Sequence, residues 1–409
     1  MTPLDRERLA HALALAESAF GVTEPNPRVG CVIGLPDGSV LGRGATQQAG
    51  GPHAEVMALR DAQAAGRSVQ CATAWVTLEP CAHHGRTPPC CDALVAAGLA
   101  RVVVAVGDPF PQVAGEGLAR LRAAGISVVM AADAGAADLA AAARDVNIGF
   151  FSRVVRGRPW VRMKIAASLD GRTALPNGVS QWITGPEARA DGHAWRRRAS
   201  AVLTGIGTVL EDDPRLDVRA VPTLLQPLRV VVDSRLHTPP GARLLQPPSR
   251  GVLVFAAIDD AERRAALVAQ GAEVLLQPGT DAADAIDATD ARYAADATGD
   301  TGAGYAKVAE QAKPGKVHLP AMLRKLAARG VNELHVEAGH KLNASLLREG
   351  LVDELLVYLA PKLLGLGREM AAFGPLTRLD DALAFEFFEH TLVGTDLRLR
   401  ARPPGRTAF

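Results

Sequence analysis

The sequence predicts two α/β domains in tandem, and three observations carry that expectation. Its 409 residues are the length of two or three ordinary domains. In the first third, strand-like runs at 72–78, 101–107 and 127–130 alternate with helix-like runs, the pattern of a layered α/β domain. Past an alanine-rich stretch at 131–144, a second series of strand-like runs opens with Trp160-Val161-Arg162-Met163-Lys164-Ile165.

Leu4, Leu9, Leu13 and Ala16 fall near helical spacing, and Asp5 is placed to cap that helix. Residues 29–44 read as a hairpin with Asp37-Gly38 at its turn, and Asn26-Pro27 opens it. Residues 53–65 read as a helix carrying His53 and Glu55 in its first turn, and Cys90 opens another. Asp108-Pro109 follows a strand, at the carboxyl end where α/β sheets place ligands. The helix at 131–144 closes the first domain, so the boundary is expected near 147, giving domains 1–146 and 147–409. The second domain offers further strands at 201–204, 229–232, 252–255, 333–336 and 354–359. Its stretch 278–315, with an Asp- and Ala-dominated centre, reads as a surface insertion of weak order.

Composition narrows the function. Apolar residues make up 48% and the net charge is +1, so the chain presents no general field for nucleic acid. It has no run of 18 apolar residues to span a membrane. The first residues, Met1-Thr2-Pro3-Leu4-Asp5-Arg6, lack the apolar core of a signal peptide. Three of the five cysteines cluster, which reads as metal ligation in a reducing, cytoplasmic compartment and not as a disulfide framework.

The chemistry is concentrated between Gly51 and Cys91. Pro52-His53-Ala54-Glu55 is followed by Glu79-Pro80-Cys81 and then Cys90-Cys91. His53, Cys81 and Cys90 supply three zinc ligands, which leaves the fourth position for water, as in catalytic sites. Glu55, one residue beyond His53's neighbour, sits beside the metal without binding it, the general acid/base arrangement of zinc deaminases. Eight residues separate Cys81 from Cys90, where the general signature has two. A longer loop still returns the thiolate, because closure costs little more with length. A closed structural knot with His84 or Cys91 as fourth ligand is the competing reading, but it gives Glu55 no purpose.

These strings resemble the bifunctional riboflavin-biosynthesis deaminase/reductases. They extend to Asn26-Pro27-Arg28-Val29-Gly30, Thr87-Pro88-Pro89-Cys90 and Ser180-Gln181-Trp182-Ile183-Thr184-Gly185, over both halves of the chain. The resemblance implies an N-terminal cytidine-deaminase-like three-layer α/β/α domain and a C-terminal dihydrofolate-reductase-like α/β domain. It implies Zn2+ and NADPH as cofactors, a small phosphoribosylaminopyrimidine as substrate, and a homo-oligomer. The absence of G-x-G-x-x-G fits, since a Rossmann cofactor site is not expected. Asn26 would touch the pyrimidine, although a loop cap before Pro27 explains it equally well. Ala166, Trp182, Thr208, Asp212 and Ser234, with the loop Gly339, His340, Lys341, Leu342, Asn343, Ala344 and Ser345, would contact NADPH. Ser180, Arg196, Leu216, Arg219 and Glu337 would contact the sugar phosphate. Arg196 and Arg219 suit a phosphate, whose oxygens match a guanidinium fork. Bland readings stand beside these: Arg196-Arg197-Arg198 as a solvated basic face, and Asp212-Asp213-Pro214 as a helix stop.

The implied reactions are hydrolytic deamination of the pyrimidine with Glu55 moving the proton, then hydride transfer to C1 of the opened ribose. The sequence departs from the family at Thr46, where a His is usual, and at Phe110, where an Asn is usual. Both touch the rim of the deaminase pocket. Two alternatives belong to other classes. A nucleic-acid or nucleotide deaminase with an accessory domain predicts a basic groove, which the balanced charge opposes. A chain with one half reduced to a structural partner is opposed by the complete residue sets in both halves.

Overall fold

Proline at the third position and a hydroxyl before it start the first helix of this chain, seen here in a computed structural model that describes residues 1–83, 88–110, 114–248, 250–279 and 315–409. The chain divides into two compact units, Met1–Arg158 with Phe409, and Pro159–Ala408. Among the described residues no helix is long and apolar enough to cross a membrane. The expected Asp- and Ala-rich insertion lies almost wholly outside the described residues.

The first unit runs α1 (Pro3–Ser18), β1 (Gly30–Gly34), β2 (Val40–Ala45), α2 (Ala54–Ala64), β3 (Thr73–Val76), α3 (Cys90–Ala96), β4 (Arg101–Val104), α4 (Glu116–Ala123), β5 (Ser127–Met130), α5 (Ala137–Val146) and α6 (Ile148–Arg156). Its sheet has the order β2-β1-β3-β4-β5, antiparallel about β1 and parallel from β3 onward. The helix cap is Thr2, not Asp5. Thr2 Oγ1 accepts from the Asp5 amide and Asp5 accepts from the Thr2 amide, a reciprocal capping box. Asp5 is buried and also accepts from Trp75 Nε1 at 2.8 Å and from both arms of the Arg101 guanidinium at 2.6 and 2.9 Å. One carboxylate thereby ties the first helix to two central strands.

The β1–β2 hairpin forms as expected around Asp37-Gly38. Its second strand lies against α2 with no room for side chains between. A Cβ on Gly42 would overlap the Ala58 carbonyl oxygen, and one on Gly44 would overlap the Ala54 carbonyl oxygen. The helix expected from residue 131 begins instead at Ala137, because Gly135 adopts a left-handed conformation (φ +77°) that interrupts it. The expected boundary segment is also helical. α6 buries Phe150 and Phe151 in the first unit's core, so that unit ends at Arg158 and not at 146.

The second unit runs β6 (Trp160–Ser168), β7 (Arg172–Ala174), α7 (Pro186–Arg198), β8 (Ala201–Gly205), α8 (Ile206–Asp212), β9 (Leu228–Val232), β10 (Val252–Ala256), α9 (Ala261–Ala269), β11 (Ala272–Leu276), α10 (Leu319–Ala328), β12 (Glu333–Val336), α11 (His340–Arg348), β13 (Glu354–Ala360), β14 (Arg368–Glu369), β15 (Glu386–Val393) and β16 (Asp396–Arg402). Among the described residues its main sheet has nine strands in the order β11-β10-β9-β8-β12-β6-β13-β16-β15. It is parallel as far as β13, and β16 and β15 add an antiparallel hairpin. Six of its strands fall where the sequence predicts. The terminal hairpin escapes that reading because its strands alternate charged and apolar residues and expose Phe387 and Leu392. β7 and β14 form a separate two-stranded sheet.

The centre of the large sheet buries charge. Arg162, fully buried on β6, holds Glu333 on β12 at 2.6 Å and Glu354 on β13 at 2.8 Å. Arg198 and Arg400 complete those carboxylates from α7 and β16. Buried charges are tolerated only when paired in this way.

Candidate active sites

In the first unit, the ligand-type residues lie at element starts. His53 is the N-cap of α2, and Cys90 is the first residue of α3. His53 Nδ1 stands 3.6 Å from Cys81 Sγ and 3.3 Å from Cys90 Sγ. The three donor atoms all lie within 4.8 Å of one another, so one imidazole and two sulfurs converge as a zinc ion requires. The Cys81 sulfur accepts hydrogen bonds from Cys90 and His53, which pull its thiol down to about 4. A thiolate so stabilised is the form that ligates metal. Glu55 lies in the first turn of α2, only 3% exposed. Burial, with the Cys81 thiolate nearby, pushes its carboxyl up to about 7. Among the described residues the group that could hold a metal is His53, Cys81 and Cys90; Cys91 is buried beside its neighbour, and His84 lies outside the described residues.

Glu79 holds the loop beside the Cys81 segment, a role that the sequence reading did not assign. Its carboxylate accepts from the backbone N–H groups of Asp108, Gly115, Gly117 and Leu118 at 3.1–3.3 Å. It thus fixes the loop after β4 and the start of α4 next to the Cys81 segment. The available signal is a lone carboxylate directly before the ligand-bearing Pro80-Cys81. Asn26 forms a turn with Thr23, its amide donating to the Thr23 carbonyl at 2.9 Å. Thr46 is buried and bonds Val29 through its hydroxyl, filling its place in the hairpin. Phe110 is 38% exposed.

In the second unit two cavities, of about 970 Å³ and 780 Å³, meet at the carboxyl ends of the parallel strands. The first is lined by Thr208, Ser234, Gly339, His340, Lys341, Leu342 and Ser345 from the expected cofactor set. The second takes Ala166, Trp182, Asp212 and Asn343 from that set, together with all five expected sugar-phosphate residues, Ser180, Arg196, Leu216, Arg219 and Glu337. Ala344 lines neither cavity; it is fully buried in the core under α11. Asp212 ends α8, with Asp213 in a left-handed conformation after it, so a helix stop and a cavity position coincide.

Arg196 is not the open cation that its sequence suggests. Its Nε and Nη2 donate to the Glu337 carboxylate and its Nη1 donates to the Asp217 carbonyl at 3.0 Å. Burial alone would raise the Glu337 carboxyl, but the Arg196 guanidinium reverses this and holds it well below the usual range. Arg219 is more exposed and holds Asp217 at 2.5 Å. Lys164 enters the same cavity from β6, and burial pushes its amine down. Its signal in the sequence is a second cation, two residues after Arg162, inside an otherwise apolar strand. Lys316, His318 and Arg324 line the first cavity and not the second.

The comparisons agree with this geometry. The RibD C-terminal domain family matches residues 159–399. The cytidine and deoxycytidylate deaminase zinc-binding region matches residues 3–106. The riboflavin biosynthesis protein RibD of Escherichia coli is 41% identical over 97% of this chain and 98% of its own. The protein belongs to the RibD family. The RibD of Aquifex aeolicus is 36% identical over 96% of this chain and 97% of its own. The solved structure of Acinetobacter baumannii RibD superposes with a TM-score of 0.79 at 37% identity, covering 98% of this chain and 99% of that one. A Thermotoga maritima deaminase/reductase gives 0.78 at 29% identity over the same shares. As a member of that family, the chain is a bifunctional enzyme of riboflavin biosynthesis. It joins a zinc-dependent deaminase to an NADPH-dependent reductase, and its folds are those expected from the resemblance.

Proposed function

We propose that the first unit deaminates 2,5-diamino-6-(5-phosphoribosylamino)pyrimidin-4-one and that the second reduces the ribosyl group of the product to a ribityl chain. Convergence of His53, Cys81 and Cys90 within 4.8 Å, beside a buried Glu55, is the observation that carries the first half. Enclosure of Arg196, Arg219 and Glu337 in one cavity with Trp182 and Asp212 supports the second. His53, Cys81 and Cys90 hold the zinc, which when bound supplies a Lewis acid that activates water. Glu55 takes a proton from the attacking water and returns it to the departing amino nitrogen, which leaves as ammonia. Asn26 contacts the pyrimidine at the mouth of that pocket.

NADPH supplies the hydride for the second step. Ala166, Trp182, Thr208, Asp212, Ser234 and 339–345 form its groove, with Ala344 acting from the core as packing. Arg219 presents its exposed face to the sugar phosphate. Glu337, held by Arg196, accepts from the sugar hydroxyls, since a carboxylate repels phosphate and attracts a hydroxyl donor. Ser180 and Leu216 complete the wall. Five free cysteines support a reducing, cytoplasmic location. The exposed Phe387 and Leu392 on edge strand β15 support assembly with further copies.

The test is to incubate the protein with the diaminopyrimidine ribosyl phosphate, with and without NADPH. Ammonia should be released in both cases and the ribityl product should form only with NADPH. Reduction without prior deamination, or release of ammonia from cytidine in preference, would replace this reading with another.

A further inference from the structure

Five residues belong to both cavities of the second unit: Thr208, Glu211, Gly339, His340 and Arg368. A dinucleotide with one end beside Lys164 and Glu337, and the other beside Lys316 and Arg324, crosses this neck at its middle. The middle of a dinucleotide is its pyrophosphate, so the neck must accept two negative charges. Glu211, in the last turn of α8, opposes that. Of the five residues lining both cavities, Arg368 alone carries a fixed positive charge. It stands on β14 in the small sheet, and its Nη1 donates to Glu211 Oε2 at 2.5 Å. That single bond leaves the rest of its donor fork uncommitted to Glu211. Both side chains are partly exposed, 33% and 53%, so the pair is a weak surface bridge and readily exchanged.

We propose that Arg368 is the pyrophosphate contact of the cofactor groove, and that Glu211 keeps it at the neck until a dinucleotide arrives. The guanidinium then turns its fork to the phosphate oxygens, which offer the bidentate geometry that a carboxylate on one nitrogen does not use. The proposal rests on the reading of these two cavities as the cofactor groove.

Equilibrium titration of the full-length protein with NADP+ and with NAD+, followed by calorimetry, tests it, with deamination as the folding control. Arg368→Met should weaken both dinucleotides alike by about ten-fold, the scale of one lost charge-assisted hydrogen bond. Arg368→Lys should restore part of that loss. Glu211→Gln should tighten both by about two-fold, since it removes a weakly held competing charge. Weakening confined to NADP+ would assign Arg368 to the 2′-phosphate and overturn the proposal. So would unchanged dinucleotide affinity with a raised KM for the sugar phosphate, or weaker binding in Glu211→Gln. Failure of the unaltered protein to bind either dinucleotide would instead remove the groove assignment itself.

Discussion

Arg196 and Glu337 hold each other through two parallel hydrogen bonds, Nε to Oε1 at 2.5 Å and Nη2 to Oε2 at 2.8 Å. Each is the other's main partner among the residues that line the second cavity. Arg196→Ala should therefore destabilise the second unit by about 3 kcal/mol, the scale of leaving one member of a buried pair alone. It should also raise KM for the sugar phosphate. The double variant Arg196→Met, Glu337→Leu should recover stability in urea melts while reduction stays lost. Recovery of both would reduce the pair to a packing element.

The donor set predicts the metal content. The purified protein should carry about one zinc per chain, the stoichiometry of a single His-Cys-Cys site. Cys90→Ser should lower that content and abolish ammonia release. NADPH-dependent reduction of the deaminated intermediate should persist in the same variant. Equal loss of the two activities would contradict independent chemistry in the two units.

Glu55 separates metal binding from proton transfer. Glu55→Gln keeps the size and burial of the side chain and removes its base. Zinc content should be unchanged, and deamination should fall on the order of 10²–10⁴-fold. Loss of zinc on that substitution, measured by metal analysis, would make Glu55 a structural group.

His193 gives the second unit a pH dependence. Burial, with Arg196 and Arg219 nearby, pushes its imidazole down to about 4. In the unfolded chain the same group protonates near about 6.5. Between these values the unfolded chain binds the extra proton, so stability rises with pH and is lost on acidification through that window. The melting temperature of the intact protein should fall as pH drops from about 6.5 to about 4. His193→Gln should flatten part of that fall, and an identical slope in the variant would remove His193 as its source.

What the sequence discloses follows the range of the interactions. His53, Glu55, Cys81 and Cys90 are legible because metal ligation demands particular side chains, and two of the ligands lie at helix starts that local patterning also marks. The strands of the parallel sheet are legible because burial on both faces makes them continuous apolar runs. Asp5 is legible as a helix-start residue, but its bonds to Trp75 and Arg101 join positions 70 and 96 residues away. The same distance in sequence hides the engagement of Arg196 by Glu337, 141 residues on. α6 escapes because a boundary and a short helix of mixed composition look alike until Phe150 and Phe151 are seen in the core. Ala344 escapes for the opposite reason: a loop motif assigns it to the cofactor, but from His340 that segment is the helix α11, which turns Ala344 inward.

The contact of β2 with α2 has an evolutionary reading. A methyl group on either Gly42 or Gly44 meets the backbone of the helix whose first turn carries Glu55 and whose N-cap is His53; on Gly44 it would also stand 2.7 Å from the Met57 Cβ. Backbone cannot swing aside as a side-chain tip can, so relief must come from moving the helix, and with it the ligand and the proton carrier. In a saturation scan scored by deamination, these two positions should tolerate no larger residue. Selection would then treat them as it treats Glu55, and an observer ranking positions by intolerance would count two glycines among the catalytic groups.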